Sequence, residues 1–261
     1  MQVVVRPTKP DASWLAARLI ASAIRKNPRI VLGLATGRTM ERVYAKLVQM
    51  HREEDLDFSL VRTFNLDEYI GLPPDHANSY RYYMNYHLFD HINIDKRNTF
   101  LPDGMATDMV AECRHYEDMI KQLGGIDLQL LGIGRAGHIG FNEPLSALQS
   151  RTRNKALTPL TISENSGEFS DPDEMPRRAI TMGVGTILEA KRLLVLVTGG
   201  TKSEILAKAV EGPITSMVSA TAIQLHPNVQ VICNESAASG LSGRDYYDWI
   251  FQNEPEWELY R

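Results

Sequence analysis

Cysteine and positive charge are both scarce in this sequence. Only two cysteines occur among 261 residues, Cys113 and Cys233, which gives neither a disulfide framework nor a Cys-x-x-Cys metal or redox motif. Such low cysteine usage is typical of proteins from the reducing cytoplasm. The net charge of −4 and the pI near 6.0 lack the basic character of a nucleic-acid-binding domain. We therefore expect a cytoplasmic protein with no nucleic-acid partner.

Long hydrophobic runs are also missing. No apolar stretch approaches the roughly 20 residues that cross a bilayer, and the N-terminus "MQVVVRPTKPDASW" lacks the basic start and apolar run of a signal peptide. Hydrophobic residues nevertheless make up 43% of the chain, enough for a large core. The length fits one α/β domain over residues 1–261, with no membrane partner.

Short apolar runs alternate with helical patterns along the chain. Because the strand-like runs are apolar throughout, they are typical of a parallel sheet covered by helices on both faces. Asn78 or Ser79 is expected to cap one helix, and Gly124 with Gly125 to end another. The predicted strands are residues 3–5, 29–34, 60–66, 127–134, 179–183, 192–200 and 229–234, and the predicted helices are residues 11–26, 40–51, 78–89, 109–123 and 203–210.

Four polar loops follow predicted strands. Ligands of such sheets bind beyond the carboxyl ends of the strands, so these loops should converge on one crevice. The stretch 145–178 is polar and turn-rich without a clear period, and we expect it to form an irregular flap over that crevice. The loops are "TGRT" (36–39), "NLDEY" (65–69), "GRAGHIGFNEP" (134–144) and "GGTK" (199–202).

Two of these loops have the form of anion sites. Backbone N–H groups at a helix N-terminus attract anions, and the side chains of Thr36, Arg38, Thr39 and Lys202 could add donors beside Gly37. An ordinary tight turn explains each loop alone about as well. Two such loops on one sheet, one with a lysine, favour a phosphate-bearing ligand.

The other two loops carry candidate proton-transfer groups. A carboxylate at a strand end, such as Asp67, can act as a general base, although a helix cap or a solvated Asp67–Glu68 pair is a common alternative. Successive strand residues face opposite sides, so at most one of these two should face the crevice. His138 suits proton transfer near neutral pH, and Glu143 lies close enough in sequence to orient its ring. The spacing does not match HExxH, so we expect no metal.

Together these loops resemble glucosamine-6-phosphate deaminases, of the glucosamine/galactosamine-6-phosphate isomerase family. The motifs that carry the resemblance are "TFNLDEYIGL", "GIGRAGHIGFNEP", "SRTR" (150–153), "TMGVGTIL", "AVEGP" and "QLHPN" (224–228). The resemblance implies a modified Rossmann-like α/β fold, a homo-oligomer (trimer or hexamer), no cofactor and a sugar-phosphate substrate. It implies conversion of glucosamine 6-phosphate and water to fructose 6-phosphate and ammonia.

The resemblance also implies residue roles. His138 would open the sugar ring and Glu143 would orient it, while Asp67 would take the proton from C2 and return it at C1. The loop at residues 36–39 and Lys202 would hold the phosphate.

Three positions depart from the family pattern. Ala136 stands where the family has Asp or Asn that supports the catalytic histidine, and Gly167 stands where it has a flap arginine that binds phosphate. Arg38 stands where it has glycine or serine, and we expect its guanidinium to replace the lost flap arginine or to point to solvent. Residues Ser146, Arg153 and Lys155 match part of the family's effector site, which makes an effector site conceivable in this chain.

Two other functions stay open from sequence. One is a related sugar-phosphate isomerase or a 6-phosphogluconolactonase-like hydrolase, although the lactonases lack "FNEP" after the histidine loop. The other is a catalytically weakened homologue that binds a sugar phosphate, in keeping with Ala136 and Gly167.

Overall fold

A computed structural model describes all residues from 1 to 261. Ten strands form two sheets. Every strand predicted from the sequence is present, and all but the one at 229–234 have shifted ends. The strands are β1 (Gln2–Arg6), β2 (Val31–Leu34), β3 (Arg62–Asn65), β4 (Asp67–Tyr69), β5 (Thr99–Phe100), β6 (Leu128–Leu131), β7 (Arg153–Ala156), β8 (Arg178–Thr181), β9 (Leu193–Val197) and β10 (Val229–Asn234).

Seven α-helices lie between these strands and two follow the last strand, and the five predicted helices are confirmed. Thr8 and Asp11 form a capping box at the start of the first helix. Ser79, not Asn78, caps the third, and Gly124 and Gly125 end the fourth with φ angles of +84° and +82°. The helices are α1 (Lys9–Lys26), α2 (Arg38–Glu53), α3 (Tyr80–His87), α4 (Met109–Gln122), α5 (Pro159–Asn165), α6 (Val184–Leu188), α7 (Ser203–Glu211), α8 (Glu235–Ala238) and α9 (Arg244–Asn253).

The main sheet is parallel and has the strand order β1-β10-β9-β6-β2-β3-β5. Every residue of β2, β6 and β9 is buried. Strands buried on both sides must be covered on both faces, so the predicted architecture of a parallel sheet between layers of helices is confirmed.

A second, antiparallel sheet has the order β4-β8-β7 and was not predicted. The chain leaves the main sheet at Leu66, whose N–H donates to Leu34, and enters the second sheet at Asp67. This switch places Asp67 at the junction of the two sheets. The strand predicted at 179–183 belongs to this second sheet, as β8.

The stretch 145–178 is more regular than the sequence indicates. It contains β7 and the short helix α5, which Thr158 caps and Pro159 begins. A small apolar cluster, which includes Tyr69, Phe141 and Phe169, anchors it to the rest of the protein. The expectation of an irregular segment was therefore wrong for these elements, because helix α5 is too short to show a helical period. We call residues 157–175 the flap.

None of the helices is long and apolar enough to cross a membrane.

Candidate active site

The four loops singled out in the sequence follow β9, β6, β2 and β3, which are four consecutive strands of the main sheet. Since these strands are parallel, their carboxyl ends open on the same edge and the loops lie side by side. The predicted convergence is confirmed.

The carboxylate of Asp67 lies beside the histidine loop. A Cβ added to Gly140 would approach Asp67 Oδ2 to 3.3 Å and Thr181 Oγ1 to 2.9 Å, so the bare glycine backbone, with φ +54°, borders the carboxylate. The Asp67 side chain receives no hydrogen bond and the residue is 6% exposed. Burial, aided by the nearby charge of Glu68, raises the pKa of Asp67 to about 8. Asp67 can therefore exchange a proton near neutral pH.

Glu68, the next residue, faces away from this crevice. Its carboxylate accepts backbone N–H groups of Tyr69, Tyr80 and Arg81 at 2.8–2.9 Å. Tyr80 begins α3, so Glu68 accepts the first two N–H groups of that helix and adds to its Ser79 cap. The expectation that only one of the paired carboxylates faces the crevice is met, and Glu68 has the structural role.

His138 and Glu143 form an oriented pair. The imidazole Nδ1 lies 3.1 Å from Glu143 Oε2, and the two side chains are 13% and 5% exposed. A Cβ on Gly134 would lie 2.0 Å from His138 Nε2, so only glycine there lets the ring pack over the loop. A carboxylate at Nδ1 places a proton on that atom and leaves Nε2 able to exchange one with a ligand. No third His, Cys, Asp or Glu completes a metal-binding group here.

Two flap threonines, which the sequence analysis missed, support Glu143. Its Oε1 accepts the hydroxyl of Thr161 at 2.5 Å and the hydroxyl and N–H of Thr158 at 3.2 and 3.3 Å. Burial opposes ionisation of Glu143, but the hydrogen bonds from His138 and Thr161 outweigh it and lower its pKa to about 2. The Thr158–Pro159 pair, a typical helix start, was the available sequence signal.

Because residue 136 is alanine, the imidazole of His138 has only one hydrogen-bond partner. The only hydrogen bond of the His138 side chain is the one to Glu143. A methyl group at position 136 neither donates nor accepts, so the ring orientation depends on Glu143 and on ring packing over Gly134.

The two predicted anion loops both lie at helix starts. Gly37, with φ +107°, stands directly before α2, and its carbonyl accepts the Tyr83 hydroxyl at 2.9 Å. Lys202 stands directly before α7, and burial lowers its pKa. Lys9, missed in the sequence, brings its ammonium 3.3 Å from where a Cβ of Gly199 would be. The Arg38 side chain is 79% exposed, with Nε 3.5 Å from Glu168 Oε1.

The flap closes over these loops. Asn165 donates to the Tyr69 hydroxyl at 3.0 Å, and the Phe169 ring meets Tyr69 edge-on. Through Thr158 and Thr161 the same segment holds Glu143. One short segment thus contacts both loops that carry the candidate proton-transfer groups.

The candidate effector residues are only partly brought together. Arg153 donates to Ser146 Oγ at 3.1 Å and to Asn142 Oδ1 at 2.8 Å. The side chain of Lys155 forms no hydrogen bond or ion pair, and the residue lies two positions further along β7. Because Asn142 precedes Glu143, the hydrogen bond from Arg153 supports the loop that carries His138. Binding of an effector by Arg153 stays a prediction.

Comparison with known proteins identifies one family. Residues 11–232 match the family described as glucosamine-6-phosphate isomerases/6-phosphogluconolactonase. The chain is 48% identical over 250 residues to the glucosamine-6-phosphate deaminase of Hahella chejuensis, covering 96% of this chain and 95% of that protein.

Solved structures agree in fold. A structure described as a monomeric glucosamine-6-phosphate deaminase is 45% identical and superposes with a TM-score of 0.90, covering 92% of this chain and 100% of that one. The 6-phosphogluconolactonase of Trypanosoma cruzi superposes at 0.74 over 92% of this chain and 97% of that one, with 21% identity, which supports the fold alone.

Proposed function

Since this chain belongs to the glucosamine-6-phosphate isomerase/6-phosphogluconolactonase family, we propose that it converts glucosamine 6-phosphate and water to fructose 6-phosphate and ammonia. Similarity to deaminases over nearly the whole chain supports this reaction. The observation that carries it is the position of Asp67 beside Gly140, in the same loop in which Glu143 orients His138.

His138 opens the sugar ring in this proposal. Its Nε2 moves the proton of the anomeric hydroxyl to the ring oxygen, and Glu143 stabilises the ring orientation and any positive charge. The depressed pKa of Glu143 keeps that carboxylate ionised at every working pH. A fixed anion beside Nδ1 makes the imidazole a better proton acceptor.

Asp67 then carries the isomerisation. In its ionised form it removes the proton from C2 of the open chain and returns it at C1. One proton of the C2 ammonium passes to the C1 carbonyl oxygen, so C1 becomes an alcohol as C2 becomes a protonated imine. Water adds to that imine and ammonia leaves. A base with a pKa near the working pH suits both the removal and the return of the proton. The proposed reaction consumes water and needs no cofactor.

The phosphate is held at the two helix starts. The backbone at Thr36–Thr39 and the ammonium of Lys202 supply donors and charge on the same edge of the sheet as the catalytic groups. Arg38 contributes to this anchor when its guanidinium leaves Glu168. Binding energy at the phosphate orients the reacting carbons.

Ammonia release decides the proposal. The purified chain should release ammonia from glucosamine 6-phosphate and form fructose 6-phosphate in equal amounts, with less or none from the galactosamine epimer. Hydrolysis of 6-phosphogluconolactone instead would identify a lactonase. Tight binding of the sugar phosphate without release of ammonia would identify a catalytically weakened homologue. The alanine at position 136 is in keeping with that outcome.

Assembly and location are further proposals. The resemblance implies a trimer or hexamer, whereas the 45% identical solved deaminase is described as monomeric, and sedimentation of the purified chain separates the two. A cytoplasmic setting is supported by two buried, unpaired cysteines, Cys113 and Cys233.

A further inference from the structure

Two acidic side chains of the flap meet two arginines of the active-site loops. Glu164 Oε1 lies 3.2 Å from Arg135 Nε, and Glu168 Oε1 lies 3.5 Å from Arg38 Nε. The Glu164 side chain is 20% exposed, against 48% for Glu168, so the Glu164–Arg135 pair is the inner one. The proposed reaction uses neither member of this pair.

Lys202 lies near enough to Glu164 for the charge of that carboxylate to act on its pKa. Burial is the largest influence on the pKa of Lys202 and lowers it. The negative charge of Glu164 acts in the opposite direction, and the positive charge of Arg135 lowers the pKa further. Two cations and one anion therefore gather beside the helix start already assigned to the phosphate, with a net charge of +1.

Backbone packing brings Arg135 to this place. A Cβ on Gly137 would lie 2.7 Å from Ile205 Cδ1 of α7 and 2.5 Å from Val218 Cγ1, so the histidine loop runs directly against α7. Lys202 stands immediately before that helix. Arg135 and Lys202 therefore lie two and three residues from the two sides of this backbone contact.

The Glu164 carboxylate is poorly satisfied where it lies. Its buried Oε1 has no aligned hydrogen-bond donor although two cations are near. An anionic oxygen buried without donors is costly. A phosphate dianion carries more charge and more acceptor oxygens, and a guanidinium can bind two of them at once.

We propose that Arg135 is a phosphate-binding residue of this site, and that Glu164 occupies its guanidinium until the phosphate of the substrate takes the place of the carboxylate. This inference rests on the proposed sugar-phosphate substrate and adds a residue that determines specificity for the phosphorylated sugar. The exchange breaks one ion pair and forms another, with no proton or covalent change. Arg135 would then supply an arginine in a site whose flap has glycine at position 167.

Calorimetric titration with inorganic phosphate and with glucose 6-phosphate tests the proposal, since neither ligand can be deaminated. Arg135→Gln should weaken both by roughly tenfold to hundredfold, the range for hydrogen bonds to charged groups. Arg135→Lys should fall between this variant and the parent, because it keeps the charge but loses the two-point contact. Glu164→Gln should tighten both by roughly two- to fivefold, because the competing charge is gone.

Glu204→Gln is the matched control. Glu204 lies on α7 two residues after Lys202, is 82% exposed and pairs with Lys208. The same loss of one negative charge there should leave phosphate affinity within about twofold, since exposed charges are screened. If it tightens phosphate binding as much as Glu164→Gln does, a general field explains the effect and the proposal is wrong.

Two other results would overturn the proposal: unchanged phosphate affinity in a folded Arg135→Gln variant, or unchanged or weaker affinity in Glu164→Gln. Thermal unfolding establishes that each variant is folded. These titrations are independent of turnover. If the parent releases no ammonia but the phosphate affinities shift as expected, the proposed reaction fails and the phosphate-binding role of Arg135 stands.

Discussion

Asp67 and Glu143 are buried carboxylates in neighbouring loops of one site, and their surroundings act on their charges in opposite ways. Asp67 receives no hydrogen bond, and burial raises its pKa to about 8. Glu143 accepts hydrogen bonds from His138, Thr158 and Thr161, and its pKa falls to about 2. Both residues have little exposed surface, at 6% and 4%, but Asp67 has a carboxylate neighbour and no donor, whereas Glu143 has donors and the imidazole beside it.

The contrast separates two tasks. A group that must accept and return a proton needs a pKa near the working pH. For a carboxylate, burial without hydrogen-bond donors raises the pKa into that range. A group that must orient a histidine needs a permanent charge, which donors supply. Each prediction below alters one side of this contrast.

The largest effect is expected for Asp67→Asn. The amide keeps the size of the side chain but accepts no proton, so kcat should fall by roughly 10²–10⁴-fold while the affinity for a sugar phosphate stays within a few fold. Steady-state ammonia release and calorimetric binding of glucose 6-phosphate measure the two quantities. A variant that keeps more than about a tenth of the parent kcat would show that Asp67 is not the essential base.

Glu68→Gln serves as the control for that change. It removes the neighbouring charge that helps to raise the pKa of Asp67, and its amide oxygen still accepts backbone N–H groups of α3. The parent kcat/KM should rise with pH through about 8 as Asp67 ionises. In Glu68→Gln that rise should move to lower pH with little loss in the plateau.

Glu143→Gln breaks the other side of the contrast. Without a charge at Nδ1 the imidazole loses its orientation and its basicity, and activity should fall by about 10–100-fold, by analogy with lost supporting partners of metal-bound histidines. Thr161→Val, which removes one donor to Glu143, should cost less. Equal losses in the two variants would mean that the threonine acts on the flap as a whole. Initial rates across pH compare them.

Ala136→Asp should sharpen the site. A second carboxylate within reach of His138 would raise the imidazole pKa and give the ring a second hydrogen-bond partner. Activity should therefore increase, or the acid limb of its pH profile should shift to higher pH. Ala136→Asn tests the hydrogen bond without the charge. An unchanged kcat and pH profile in both variants would mean that another group already fills this role.

Arg38→Gly tests the outer cation of the phosphate site. The guanidinium is 79% exposed and 3.5 Å from Glu168, so we expect a rise in KM of several fold, below the 1.5–3 kcal/mol of a buried charged hydrogen bond. Adding Gly167→Arg should recover part of the loss. If Arg38→Gly binds the phosphosugar as well as the parent, Arg38 is a bystander.

The last effect concerns stability and depends on pH. The folded-state pKa of Asp67, about 8, lies above the ordinary value of 3.8, so the folded protein binds more protons than the unfolded chain and stability falls as pH rises between these values. Asp67→Asn removes this loss, and its Tm should exceed that of the parent at pH 9 by roughly 2–4 °C per kcal/mol recovered. At pH 4 the two should be alike. Calorimetric scans at both pH values check this, and an equal difference at both would contradict it.

The sequence by itself determined the parallel sheet, the positions of six of its seven strands and the four loops at one edge, whereas the two-residue strand β5 was not predicted. Apolar runs and helix starts are local patterns, and parallel connectivity then places loops such as 36–39 and 134–144 together. The proton-transfer candidates Asp67, His138 and Glu143 also followed from residue type and position.

Only the tertiary structure decided the pKa and the hydrogen-bond partners of each of these groups. The supports of Glu143, Thr158 and Thr161, come from a flap with a helix too short for a detectable period, and the second sheet that carries Asp67 pairs strands far apart in sequence. The roles of Asp67 and Glu68 are reversed if their side chains exchange faces, and the sequence contains no measure of that. Charge, pKa and ion pairing depend on neighbours in space, which long-range contacts bring together after the local elements have formed.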